Sequence, residues 1–177
     1  MPYNVDAQSY MNTKLERLYS EMQKAKAKEA LEAGTVQLSS EEQKMIDLVN
    51  EERRKAGVPE LKVSPKLCEA AKIRAEESTI RPDHTRPNGT MADTILDDVG
   101  LTYYKTGNSS DLNSIAFGEN QVVGKNQQVS VQIAFSGLMN SSSHKDNMLN
   151  DIHLYIGVSH VQMNGNSAWI QTFGRLQ

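Results

Sequence analysis

Three side chains able to bind a metal or move a proton stand in three short polar segments. His84 lies in Asp83-His84-Thr85-Arg86-Pro87-Asn88-Gly89, Glu119 in Phe117-Gly118-Glu119-Asn120, and His144 in Ser141-Ser142-Ser143-His144-Lys145-Asp146-Asn147. Histidine changes charge near neutrality and is the commonest metal ligand. Two neutral imidazoles and a carboxylate can hold Zn²⁺ or another divalent ion and leave a fourth position open to water. The same groups can instead form a metal-free polar network, because a carboxylate beside an imidazole orients the ring and raises its pKa. No nucleophile accompanies them, and Ser141, Ser142 and Ser143 read as a cap or turn cluster. Pro82 and Pro87 bracket His84, which places it in a loop. All three groups are read as lying on loops, and spacing alone does not bring them together.

The elements that must position them follow from caps and periodicity. Ser39-Ser40-Glu41-Glu42 is a capping box opening a helix with Met45, Ile46, Leu48 and Val49 on one face, ended by Gly57. Ser64-Pro65 starts a second helix, with Leu67, Ala70, Ala71 and Ala75 as its apolar stripe. Thr90 is the expected cap of a short helix with Met91, Ile95, Leu96 and Val99 inward, stopped by Gly100. Thr106 to Asn113 reads as an exposed loop. Ile115 to Val123 reads as a strand interrupted by Gly118-Glu119-Asn120, followed by a helix capped by Asn126 that buries Val129, Ile133, Phe135 and Leu138. The clearest β signal is late: Leu154 to Val161 and Ser167 to Phe173 flank Asn164-Gly165, a hairpin cue. Trp169 and Phe173 share one buried face of the last strand. Helices first and an antiparallel sheet late make an α+β pattern with helices covering the sheet.

Residues 1–36 read as an N-terminal helical extension and residues 37–177 as the main domain. Met11, Leu15, Leu18, Met22 and Ala25 in the extension form a heptad seam two repeats long. The seam is too short to specify a coiled coil, so the helix is expected to lay one stripe on the domain behind it, with weak self-association as the alternative. The 177 residues carry 38 % hydrophobic side chains and a formal net charge of −3. That balance leaves no electrostatic footprint for nucleic acid, and no apolar run approaches the ~20 residues that span a bilayer. Cys68 is the lone cysteine and reads as a small buried hydrophobe. His153 and His160, on or beside the hairpin, read as surface or core imidazoles.

From about Leu48 to the C-terminus the chain resembles the CAP superfamily, the cysteine-rich secretory, venom-antigen and pathogenesis-related proteins, in its disulfide-free bacterial branch. The matching segments include Leu48 to Arg53, Leu61 to Ala71, His84 to Gly89, Gly118-Glu119-Asn120, Ser141 to Leu149, Ile156-Gly157-Val158 and Trp169 to Gly174, in the family's order. The resemblance implies an α-β-α sandwich with a cleft lined by His84, Glu119 and His144, the histidine pair binding zinc or another divalent ion in some relatives. Departures are Leu138 where the bacterial pattern has tryptophan, Ser142-Ser143-His144-Lys145 for Pro-Gly-His-Arg, His153 for phenylalanine and Tyr155 for glutamate. The second acidic residue of the cleft lacks a counterpart, Asp93 and Asp97 being the nearest acids. The resemblance implies a secreted, non-enzymatic domain binding an extracellular lipid, peptide or cell-wall component. A metal-dependent hydrolase using His84, His144 and a Glu119-assisted water is the alternative, and an interaction module working through the N-terminal helix a third. Met1-Pro2-Tyr3 opens no basic-then-apolar leader, and it is the resemblance to an extracellular family that implies a signal or lipoprotein leader upstream of Tyr3 in the full gene product.

Overall fold

The computed structural model describes Lys14, Leu18, residues 36–101 and residues 117–175. The chain divides into two units, Met1–Thr35 and Val36–Gln177. In the first, Lys14 and Leu18 are helical. The rest of the expected N-terminal helix, with Met11, Leu15, Met22 and Ala25, lies outside the described residues, as does the expected loop from Thr106 to Asn113.

In the second unit, helix α1 (Ser40–Ala56) starts at the capping box. Ser39 Oγ accepts from the Glu42 N–H at 3.2 Å and Glu42 Oε2 from the Ser39 N–H at 2.8 Å, so two orphan donors are satisfied reciprocally. Gly57 ends the helix at φ +74°, in the left-handed region that glycine enters without strain. Strand β1 (Lys62–Val63) follows a clamp in which Asn50 donates to Leu61 O at 3.1 Å and accepts from Leu61 N–H at 2.8 Å. Helix α2 (Pro65–Ile80) is capped by Ser64 and has proline in its first turn.

A turn of 3-10 helix, Ala92–Thr94, runs into the short helix α3 (Ile95–Asp98). Ile95, Leu96 and Val99 are buried, but Met91 is exposed. Thr90 does not cap this helix: its hydroxyl donates to Asn88 Oδ1 at 2.7 Å. An isolated bridge between Thr85 and Met91 holds the stretch extended, so the helix begins later than expected.

Strands β2 (Gly118–Gly124), β3 (Tyr155–Met163) and β4 (Asn166–Gly174) complete a sheet of order β1-β3-β4-β2. The β3–β4 hairpin turns at Asn164 and Gly165, both at positive φ, the conformation Asn-Gly favours. The sheet is mixed, against the antiparallel expectation, because β1 runs parallel to β3 and pairs Lys62 with Tyr155 and Val63 with Ile156. Two residues carry no periodic signal, and their partner is distant in sequence.

Alternation along β4 assigns the layers. Trp169 and Phe173 join Met45, Ile46 and Val49 of α1, Ala134 and Leu138 of α4 (Val131–Met139) and Met148 of α5 (Ser142–Leu149) in one core. Ala168 and Ile170 pack with Ala71 and Ala75 of α2 on the other face. The result is an α-β-α sandwich. Helix α2 lies close against β3 at Gly157, where a Cβ would come 2.1 Å from the Leu67 carbonyl carbon of α2. Helix α4 is capped by Ser130 rather than Asn126, the Ser130 Oγ accepting from the Ile133 N–H at 3.3 Å. Asn126 instead turns the chain at φ 53°. With the cap four residues later, Val131 and Ala134 face inward and Ile133 is 64 % exposed.

Candidate functional site

Gly118-Glu119-Asn120 does not interrupt a strand; it is the start of β2, pairing with Phe173, Thr172 and Gln171 of β4. Backbone pairing to β4 outweighs the turn-prone composition of the triplet. Successive side chains leave a strand on opposite faces, so Glu119 goes to the α2 side and Asn120 to the α1–α5 side. Each meets one histidine segment.

On the α2 side Glu119 is buried and gripped at two points. Arg74 Nε donates to its Oε2 at 2.7 Å and Arg74 Nη2 to its Oε1 at 3.0 Å. His84 Nδ1 lies 3.1 Å from Oε1. Arg74 itself is 0 % exposed and donates also to Glu77 Oε2 at 2.8 Å and to the Asp83 carbonyl at 3.0 Å. Beyond it Arg86 Nη2 donates to Glu77 Oε1 at 2.9 Å and to Asp98 Oδ2 at 2.7 Å, while Arg86 Nη1 donates to Thr94 Oγ1 at 3.2 Å. Burial pushes the Glu119 carboxyl up, but hydrogen bonds from His84 and Arg74 more than offset it and leave the group below the ordinary carboxylate range. The same Glu119 bond raises His84 above the ordinary histidine value.

On the other face Asn120 Nδ2 donates to the His144 carbonyl at 2.9 Å and to Gln171 Oε1 at 3.0 Å. Asn147 Nδ2 donates to Asn120 Oδ1 at 2.9 Å. His144 sits in the first turn of α5, not in a loop, because the Ser141–Ser143 cluster opens a helix rather than ending one. Partial burial first, and then the charge of His84, lower the His144 pKa. The two histidine segments thus meet neighbouring residues of β2 from opposite faces of the sheet, His84 by its ring at Glu119 and His144 by its carbonyl at Asn120.

His84 could offer Nε2 to a metal with Glu119 orienting the ring from Nδ1, the usual outer-sphere arrangement. Among the described residues, however, no three His, Cys, Asp or Glu side chains are placed to hold one ion. Both Glu119 oxygens are already engaged, and a guanidinium lies against them. Two imidazoles alone fall short of the three or four protein ligands that zinc sites use. Cys68 is buried, and burial pushes its thiol up to about 11. His153 is buried and stacked on Phe173, with centroids 5.4 Å apart, and His160 stacks on Trp169 at 4.2 Å.

Arg74, Glu77, Arg86 and Asn120 were not among the residues singled out from sequence. One signal pointed to Arg74: it falls three residues after Ala71 and four after Ala70, on the apolar stripe of α2. A charge at such a position must be buried and must find a partner. The second carboxylate it finds is Glu77.

The CAP family, described as the cysteine-rich secretory protein family, matches residues 46–173. The chain is 28 % identical over 138 residues to the uncharacterized protein YkwD of Bacillus subtilis (strain 168), covering 77 % of this chain and 48 % of that protein. It therefore spans about half the length of that relative. An outer surface protein from Borrelia burgdorferi superposes with a TM-score of 0.61 at 18 % identity, over 80 % of this chain and 97 % of that one. An extracellular protein containing a SCP domain from Bacillus anthracis str. Ames gives 0.61 at 19 %, over 80 % of this chain and 45 % of that one. At such identities these likenesses speak to the fold.

Proposed function

The chain belongs to the CAP, or cysteine-rich secretory protein, family, and on that premise we propose that it is a binding module acting outside the cytoplasm. It seats an extracellular lipid, peptide or cell-wall component on the cleft formed by His84, Glu119 and His144. The observation that carries this reading is the setting of Glu119: buried and committed by hydrogen bonds to Arg74 and His84. A carboxylate so engaged fixes the half-exposed His84 ring beside it, and its lowered pKa makes it a poor base for activating water. That weighs against the metal-dependent hydrolase. The extracellular placement draws on the outer-surface and extracellular descriptions of the two structural neighbours.

Calorimetry on the full chain tests the reading with phosphatidylcholine vesicles, a peptide mixture and soluble peptidoglycan fragments as titrants. Binding of one class should be lost in His84→Ala and in His144→Ala while cooperative unfolding persists. Binding that survives both variants puts the ligand elsewhere. Zinc-dependent turnover of a peptide or ester library replaces the module by the hydrolase, and recovery of the native product from cytosol alone removes the extracellular role.

A further inference from the structure

We propose that Arg74 is a positioning residue of the cleft: its two-point grip on Glu119 holds the carboxylate against Nδ1 of His84 and leaves Nε2 as the ring nitrogen that meets a ligand. The proposal rests on the reading of His84 as part of the binding surface and adds the residue that sets how the ring is presented.

The geometry makes Arg74 the hub. It is fully buried, yet it bonds to both things that determine where His84 goes. Through Nη2 it holds the carbonyl of Asp83, the residue next to His84 in the chain, at 3.0 Å. Through Nε and Nη2 it holds both oxygens of Glu119. A carboxylate held by a planar fork at two points cannot swing about its own axis. Glu119 Oε1 is thereby fixed 3.1 Å from Nδ1. An ionised carboxylate only accepts hydrogen bonds, so the Nδ1 facing it must carry the proton. In the neutral ring Nε2 is then the bare nitrogen, while the side chain as a whole is 49 % exposed. Glu77 steadies Arg74 from a third direction, at 2.8 Å from Nη1, and ties it to Arg86 in the same loop as His84.

A purely structural role for Arg74 predicts a stability effect and nothing else, so the test reads the ring itself. Long-range ¹H–¹⁵N correlation of the ¹⁵N-labelled full chain, well above the ordinary histidine pKa of ~6.5, reports which nitrogen of each imidazole is protonated. In the wild type His84 should be mainly the Nδ1–H tautomer, opposite to the Nε2–H form that an unassisted side chain prefers. In folded Arg74→Gln the ratio should invert, in Arg74→Lys it should fall between, and the His160 signals should stay put. A wild-type His84 that is mainly Nε2–H overturns the proposal, as does an unchanged tautomer in folded Arg74→Gln. If Arg74→Gln does not fold, Arg74→Lys decides: a reduced Nδ1–H fraction supports the role and full retention overturns it. No ligand enters the experiment, so failure to find one leaves this result standing, and the reverse also holds.

Discussion

Two arginines, Arg74 and Arg53, are both 0 % exposed, and their donors are satisfied in different ways. Beside Glu119, burial pulls the Arg74 pKa down, but the carboxylates of Glu119 and Glu77 outweigh that and raise it. At the corner where α1, α5 and β3 meet, Arg53 bonds to backbone carbonyls. It donates to Pro59 O at 2.6 Å, Met148 O at 2.7 Å, Asn150 O at 2.9 Å and His153 O at 3.2 Å. Burial lowers its pKa, with only a partial Coulombic offset from Asp151. Arg53 uses the guanidinium as a multi-pronged connector, satisfying the last carbonyls of α5 as a C-terminal cap does. Arg74 couples charge to charge and carries the orientation of an imidazole with it. Burial of the same side chain thus ties backbone carbonyls together in one place and carboxylates in the other.

The sharpest way to break this comparison is to remove each guanidinium. Arg74→Met leaves Glu119 buried without its counter-charge and should cost about 3–5 kcal/mol in urea unfolding. Arg53→Met strands neutral carbonyls but also relieves a buried charge bonded to no carboxylate among the described residues, and should cost less, about 1–3 kcal/mol. Equal losses, or a larger one at Arg53, would show that the carboxylates add nothing.

Next in size is the acid limb. Glu119 is held below its unfolded value, so its contribution is complete above the unfolded carboxyl pKa of ~4.3 and fades as pH falls through the lower folded value. Glu119→Gln should flatten the decline of stability at acid pH, whereas Arg53→Met should leave the shape of that limb as it is. An acid limb unaltered by Glu119→Gln contradicts the ion-pair account.

Two histidines should give smaller slopes of opposite sign. His84 is raised by its Glu119 bond, so its contribution is full below ~6.5 and is lost as pH rises through the folded pKa. His160 is lowered, chiefly by burial, so its contribution is full above ~6.5 and is lost as pH falls. Stability profiles of His84→Gln and His160→Gln should therefore diverge from wild type on opposite sides of neutrality. Divergence on one side for both would mean that the two rings share an environment.

The smallest expected effect is truncation before Val36. The hydrogen bonds described above for Arg53 and Arg74 all lie within the second unit, so the shortened chain should unfold cooperatively with the Arg74–Arg53 difference intact. An aggregating product would show that the extension completes the core.

What was legible in the sequence is what neighbours in the chain decide. Ser39 with Glu42, Ser64 with Pro65, Gly57 and Asn164-Gly165 act within a turn or two, so their caps and bends follow from local chemistry. Trp169 and Phe173 follow from strand alternation. The pattern of short motifs also carried the family, and it drew attention to His84, Glu119 and His144 as candidates. Tertiary structure alone decided which groups those residues touch. Arg74 meets Glu119 across 45 positions of chain, and Arg53 meets the end of α5 across 95 or more. At such distances no period or cap rule applies, and a buried arginine looks the same whether carboxylates or carbonyls await it. The parallel pairing of β1 was hidden for the same reason, since its two residues acquire a strand's identity only from Tyr155 and Ile156 beside them. Desolvation supplies the driving force in each case: a polar group taken from water must find a partner, and the packing of the sandwich determines which one is within reach.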